Sequence, residues 1–139
     1  LLLLLDAYAQ TSALATLSRA QLFERRGHSD DAAAHWTWLA THAEPALAEH
    51  SLLLQAQARE RAGQYAEATA LYERQINRFP EGSHIVAARL ALAGLYERRG
   101  AIDRALKTCE TALLQHPDDA RAPELRLRIL RLRQLREKG

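Results

Sequence analysis

The sequence contains no methionine and a single cysteine, Cys109, so an internal disulfide is excluded. It has no paired cysteines, no glycine-rich phosphate loop and no nucleophile elbow. Sustained alternation of apolar and polar residues, or an Asn-Gly or Asp-Gly pair, would indicate a β-hairpin, and neither occurs. No apolar run is long enough to span a bilayer. These absences argue against disulfide scaffolds, sheet proteins and membrane-spanning proteins.

What the chain does contain favours helices. Of its 139 residues 47% are hydrophobic, and alanine and leucine supply most of that share, whereas only 6% are aromatic. This composition is typical of a helical protein, and the length is that of one domain. The formal net charge of +2 is too small to indicate nucleic-acid binding. We therefore expect one helical domain and no nucleic-acid partner.

One short stretch recurs along the chain. It reads LFERRG at 22–27, RERAG at 59–63 and LYERRG at 95–100, and a weaker copy, LREKG, occupies 135–139. The four glycines that close these copies are 36, 37 and 39 residues apart. A fixed period of this size indicates a repeat architecture.

The residues after each glycine recur as well. An alanine lies five residues after it in the three full copies: Ala32, Ala68 and Ala105. A large or buried-type residue lies nine residues after it: Trp36, Tyr72 and Cys109. A proline closes each unit: Pro45, Pro80 and Pro117. Glycine suits a left-handed helix end, alanine allows two helices to approach closely, and proline interrupts a helix. Each unit is therefore predicted to be helix, tight turn, helix and proline break.

This pattern resembles the tetratricopeptide repeat. The family's small position holds Ala20, Ala56 and Ala93, and its first aromatic position holds Phe23, Arg59 and Tyr96, so the second unit departs there. The resemblance covers about residues 13–117 and implies an all-α fold, a right-handed solenoid of antiparallel helix pairs. Units of 36 and 37 residues look like the variant common in bacterial envelope proteins, which favours the periplasm or cell envelope over the cytoplasm.

The period divides the chain into five segments. They are 1–12, the end of a preceding helix or a leader; 13–45, 46–82 and 83–119, three repeats; and 120–139, a basic capping helix or the first helix of a fourth repeat. Leu1 to Leu5 have two interpretations, the tail of a signal peptide or the last turns of a preceding repeat. We favour the second, because counting back one period from Gly27 places residues 1–10 there. The chain is then expected to be a piece of a longer array of repeats.

The sequence offers little chemistry. Its six histidines include no His-x3-His pair on a predicted helix, so they are interpreted as scattered, solvated side chains. The acidic pairs Asp30-Asp31 and Asp118-Asp119 lie at helix starts, where carboxylates cap the helix. No metal, cofactor or catalytic residue is predicted, and we do not expect an enzyme.

What remains is a surface. In the family, the first helix of each unit lines a concave face. Carried over to this sequence, the resemblance places partner-binding residues at Leu17, Gln21, Glu24, Arg25, His50, Leu53, Gln57, Arg61, Leu90, Arg98, Arg126, Ile129 and Arg133. Leu17, Leu53 and Leu90 would form an apolar strip along the groove floor, suited to a peptide. The alternative is that these aliphatic residues pack between neighbouring helices.

The last predicted helix is strongly basic. Its basic residues, Arg121, Arg126, Arg128, Arg131, Arg133, Arg136 and Lys138, outnumber Glu124 and Glu137. We interpret it as a capping helix with a solvated charged side, with an acidic protein partner as the second choice. The sequence thus predicts a non-catalytic scaffold or adaptor that binds a peptide or protein in its concave groove. The alternative is a structural spacer or oligomerisation arm of a bacterial envelope assembly, without such a groove.

Overall fold

The computed structural model describes residues 2–139, and of their side chains those of residues 3, 4 and 11–139. These residues form helices and no strand, which confirms the predicted all-α fold. The seven helices are α1 (Leu2–Arg25), α2 (Ser29–His42), α3 (Pro45–Arg61), α4 (Tyr65–Arg78), α5 (Ile85–Arg98), α6 (Ile102–Gln115) and α7 (Ala122–Lys138). Each helix packs against the next, as in a helical solenoid.

The predicted glycine turns end α1, α3 and α5. Gly27, Gly63 and Gly100 have φ angles of 76°, 78° and 80°, in the left-handed region that glycine adopts without strain. The amide that follows each glycine donates to a carbonyl near the end of the preceding helix, as in His28 N to Phe23 O at 2.9 Å. This pattern satisfies carbonyls that the helix end leaves free. The same turn therefore joins the two helices of every unit.

The helix break expected near residue 12 does not form. One helix, α1, runs from Leu2 to Arg25. The sequence contains no glycine or proline before Gly27, and leucine and alanine, which are strong helix formers, dominate this stretch. Leu1, where the alternative leader would begin, lies outside the described residues.

The alanines that recur in the repeat are fully buried. Ala20, Ala56 and Ala93 on the first helices and Ala32, Ala68 and Ala105 on the second helices have no exposed surface. Large residues fill the space beside them, and Trp36 and Tyr72 are 2% and 0% exposed. Close packing of this kind fixes the position of each helix on its neighbour.

Helix α7 repeats the burial pattern of α5 at a distance of 37 residues. The buried residues of α7 are Ala122, Leu125, Ile129 and Leu132. Their counterparts on α5 are Ile85, Ala88, Leu92 and Leu95, all of them buried. A second row of α5 is also buried, namely Val86, Leu90, Ala93 and Tyr96. The counterparts of that row on α7 are exposed, namely Pro123, Leu127, Leu130 and Arg133. The two helices therefore share one register, and one side of α7 is uncovered.

Candidate functional site

Each recurring Glu-Arg pair at the end of a first helix has its glutamate bound within the fold. Glu24 accepts a hydrogen bond from Trp36 Nε1 at 3.1 Å, and Glu60 accepts one from the Tyr72 hydroxyl at 3.0 Å. In both units the donor lies twelve residues after the glutamate, on the second helix. Burial and the neighbouring Glu60 raise the pKa of Tyr72 above its ordinary value, so the hydroxyl stays a donor.

In the third unit the glutamate has a different partner. Cys109 occupies the position of Trp36 and Tyr72, and a thiol is only a weak donor. Glu97 instead pairs with Arg131 of α7, with oxygen-to-nitrogen distances of 2.7 and 2.9 Å. All three glutamates therefore hold helices together, and their remaining surface borders the cavities beside the arginines.

Arg59 explains why the second unit departs from the aromatic pattern. Its side chain is buried and lies 3.2 Å from Glu24 and 3.6 Å from Glu67. It also donates to the Ser29 carbonyl at 3.4 Å and to Gln64 at 3.3 Å. The guanidinium thereby connects the first unit to the second, which a phenyl ring at this position would not do.

The arginine of each Glu-Arg pair faces solvent. Arg25, Arg61 and Arg98 are the last residues of α1, α3 and α5, and all three are exposed. Among the described side chains none of the three forms an ion pair, although the Arg98 guanidinium lies 4.1 Å from the centre of the exposed Tyr65 ring. A cation there complements the helix dipole and still presents its donors outward.

Two cavities connect these arginines. A cavity of about 370 Å³ lies between Arg25 and Arg61, with Gln21 and Trp36 in its lining. A second cavity of about 660 Å³ lies between Arg61 and Arg98, with Tyr65 in its lining. Because Arg61 borders both, they form one surface. We call it the arginine groove: Arg25, Arg61, Arg98 and the two cavities between them.

The predicted apolar strip is not exposed. Leu53 and Leu90 are only 6% and 7% exposed and belong to the larger hydrophobic cluster of the core. Leu17 is half-buried and packs against a second cluster, which includes Trp36 and Leu39. These residues pack between neighbouring helices, which was the alternative interpretation. Gln57 is half-buried, and His50 is also half-buried and stacks on His84 at 5.0 Å between ring centres. Of the predicted partner-binding set, the arginines are the exposed members, and the half-buried Gln21 lines the cavity beside Arg25.

The three residues predicted on the last helix lie elsewhere. Ile129 is buried, and Arg126 and Arg133 line a groove beside α6, where Arg133 lies 3.3 Å from Glu110. The prediction placed these three residues by counting back from Gly139, as if it were a turn glycine. Gly139 lacks the positive φ of the turn glycines, and it lies two residues after the position 37 residues beyond Gly100. Arg128 and Arg131 face α5 instead, and Arg128 donates to the Leu90 carbonyl at 3.1 Å.

The described side chains include no group of three or more histidine, cysteine, aspartate or glutamate residues placed to hold a metal ion. Cys109 is buried, and burial raises the pKa of its thiol to about 11. Within residues 2–139, no helix has the length and apolar character that crossing a membrane requires.

Comparison with known proteins identifies the family of the repeats. A family model described as "Tetratricopeptide repeat" matches residues 59–129, which are half of the chain. No curated protein matches the chain. The matched segment begins at Arg59, contains the last two glycine turns and ends within α7.

Proposed function

Since the chain belongs to the tetratricopeptide repeat family, whose repeats generally mediate protein–protein interaction, we propose that it binds an acidic segment of a partner protein along the arginine groove. The family generally supplies non-catalytic scaffolds, and the same role is proposed here. The proposal rests on the different environments of the two residues in each Glu-Arg pair. The glutamates are bound within the fold, whereas the arginines are exposed and have no ionic partner among the side chains that the structure describes.

The charge of the groove determines the kind of peptide. An exposed guanidinium binds a carboxylate through paired hydrogen bonds. The three exposed arginines of the groove therefore favour a peptide that carries several carboxylates. Tyr65 provides an aromatic surface beside Arg98 for an apolar side chain of the ligand. The aliphatic residues Leu53 and Leu90 play no part in binding, because they are buried.

The arginines lie on the first helices α1, α3 and α5, and a cavity lies between each arginine and the next. The proposed ligand is an extended segment with several aspartate or glutamate residues. A peptide in the polyproline II conformation with glutamate at every third position presents its carboxylates on one side, about 9 Å apart, and serves as the probe.

The test is titration of the protein with such a peptide, with glutamate at every third position, and with the same peptide carrying glutamine there. The triple variant Arg25→Gln, Arg61→Gln, Arg98→Gln removes the groove charges. Its matched control, Arg19→Gln, Arg74→Gln, Arg136→Gln, removes three exposed arginines elsewhere.

We expect the groove variant to weaken binding about tenfold, since three partly exposed pairs at about 0.5 kcal/mol each amount to that factor. The control variant and the wild type should bind alike. Equal losses in the two variants would show non-specific attraction to a basic protein and would contradict the proposal. Failure of the wild type to prefer the glutamate peptide would favour the spacer alternative.

A further inference from the structure

A further cavity lies between α4, α5 and α6 and has a volume of about 320 Å³. We call it the basic cavity, because three of its lining residues are cations: Arg89 of α5, and Arg104 and Lys107 of α6. The other lining residues are Ile76, Leu92, Tyr96, Thr108 and Thr111. Helix α3 packs against α4 and helix α7 packs against α6, so the helices around this cavity have their neighbours on both sides.

Arg89 differs from the other arginines that are not exposed. Among the described side chains these arginines are Arg59, Arg89 and Arg128. Arg59 has the partners described above, and Arg128 donates to the Leu90 carbonyl. The Arg89 Nε is buried without a hydrogen-bond partner, and its guanidinium forms no ion pair among the described side chains. A buried donor without an acceptor lowers stability, so its presence calls for an explanation.

The preceding unit shows that the fold does not require these cations. The residues 37 positions before them are Leu52, Glu67 and Ala70, none of which is basic. Leu52 is 1% exposed, so Arg89 places a charge where the second unit has an aliphatic core residue. Three positions on two helices are thus basic around one cavity in the third unit and not in the second. Their convergence indicates an anionic ligand.

The carboxylates near the cavity do not neutralise it. Glu73 accepts a hydrogen bond from the Tyr96 hydroxyl at 2.6 Å. Glu81 is exposed, and its attraction offsets only part of the lowering of the Arg89 pKa that burial causes. The Arg99 guanidinium, 5.7 Å from the centre of the Tyr96 ring, adds another cation beside the cavity. A cavity with an excess of positive charge concentrates anions.

We propose that the basic cavity binds the phosphate group of a small phosphate monoester. At neutral pH such a group is largely a dianion with three acceptor oxygens, which matches three cations better than a carboxylate does. The Arg89 and Arg104 guanidinium groups suit paired hydrogen bonds to two oxygens, and the Lys107 ammonium acts as a point charge. Ile76 and Leu92 offer apolar contacts to the organic part of the ester, for which a cavity of about 320 Å³ has room.

The test is an NMR titration of the full, isotope-labelled chain with phenyl phosphate. It is followed at the Arg89 Nε–H signal and at the backbone amides of residues 104–111. Phenyl sulfate is the first control ligand, because it has a similar shape and carries less negative charge. Inorganic phosphate is the second control ligand, because it lacks the organic part.

Three single variants each replace one cation with the residue of the preceding unit: Arg89→Leu, Arg104→Glu and Lys107→Ala. The second unit folds with these residues at the corresponding positions, so the variants are expected to fold. Arg19→Leu, at an exposed arginine of α1, is the matched control. The variant that lacks the three arginines of the arginine groove separates that surface from the basic cavity.

We expect saturable binding of phenyl phosphate in the millimolar range, with a shift of the Arg89 Nε–H signal. Phenyl sulfate and inorganic phosphate should each bind about threefold more weakly or worse, since the first lacks charge and the second lacks the apolar contact. Each of the three cation variants should weaken binding about tenfold, because a hydrogen bond between charged groups is lost. Arg19→Leu and the arginine-groove variant should bind phenyl phosphate as the wild type does.

The absence of a saturable shift with phenyl phosphate would overturn the proposal. An equal loss of affinity in Arg89→Leu and Arg19→Leu would overturn it as well, since it would show non-specific attraction to a basic protein. So would a loss in the arginine-groove variant, which would locate the phosphate there. Equal binding of phenyl sulfate would contradict recognition of a dianion, and equal binding of inorganic phosphate would replace the ester by free phosphate. If Arg89→Leu does not fold, Arg104→Glu and Lys107→Ala, at exposed positions, decide the same question.

Discussion

The Arg59 guanidinium lies 3.2 Å from the Glu24 carboxylate, and both side chains are less than 10% exposed. The two residues belong to successive units, so this buried pair connects α3 to α1. Loss of one partner would leave a buried charge with fewer hydrogen bonds, whereas loss of an exposed arginine would not.

We expect Arg59→Met to lower the free energy of unfolding by about 3 kcal/mol, as measured by urea denaturation. Arg61→Met is the matched control at an exposed position and should change it by less than about 0.5 kcal/mol. The double variant Arg59→Met, Glu24→Gln should recover part of the loss, because the buried charge is then absent. A loss below about 1 kcal/mol for Arg59→Met would contradict a stabilising role.

Much of the helix arrangement was predictable, because the residues that indicate turns and helix contacts lie close together in the sequence. The glycine turns and the buried alanines, such as Ala68 and Ala105, follow from residue type and spacing. The pairing of two glutamates with a residue twelve positions later was missed, although Glu24 with Trp36 and Glu60 with Tyr72 recur at the repeat period. That recurrence is a signal that a search for paired polar and aromatic positions would find.

Other features depended on packing that spacing alone does not determine. Leu53 and Leu90 occupy positions that a groove or a core could equally use, and only the helix geometry shows that they are buried. The register of α7 was misjudged because Gly139 was equated with a turn glycine. The burial of Leu125 and Leu132 gives the correct register.

The stability of the protein should fall at alkaline pH. Burial, together with the hydrogen bond to Glu73, raises the pKa of Tyr96 to about 12 from an ordinary value of 10. The protonated hydroxyl therefore stabilises the folded state fully below pH 10, and this contribution is lost as the pH rises through 12. Tyr96→Phe should show a smaller decline in the urea midpoint over this interval. A decline identical to that of the wild type would contradict this assignment.

Acid should destabilise the second unit through His50. Burial lowers the pKa of His50, and the nearby His84 lowers it further, while Glu49 acts in the opposite direction. Neutral His50 therefore favours folding above its unfolded pKa of 6.5, and this stability is lost as the pH falls below that value. His50→Phe should reduce the loss of stability between about pH 8 and about pH 5.5. His42→Phe, at an exposed histidine, should not, and an equal effect of both changes would contradict the prediction.

A side chain at Gly82 should displace the Glu49 carboxylate. Its φ is not positive, but a Cβ there would collide with the Glu49 carboxylate. That carboxylate accepts the His84 amide hydrogen at 2.6 Å and is buried. Gly82→Ala should therefore cost about 1–3 kcal/mol, because the Glu49 hydrogen bond is displaced. In Glu49→Ala the same glycine change should cost much less, and a full cost there would indicate a different cause.

The central claim, that Arg61 contacts a carboxylate of the bound segment, is tested most directly by a double-mutant cycle. The cycle combines Arg61→Gln in the protein with a change of the middle glutamate of the peptide to glutamine, and the four affinities are measured by calorimetry. We predict a coupling energy of about 0.5–1 kcal/mol for Arg61. The same cycle with the exposed Arg74 should give a coupling close to zero. A coupling for Arg61 no larger than that for Arg74 would contradict the account.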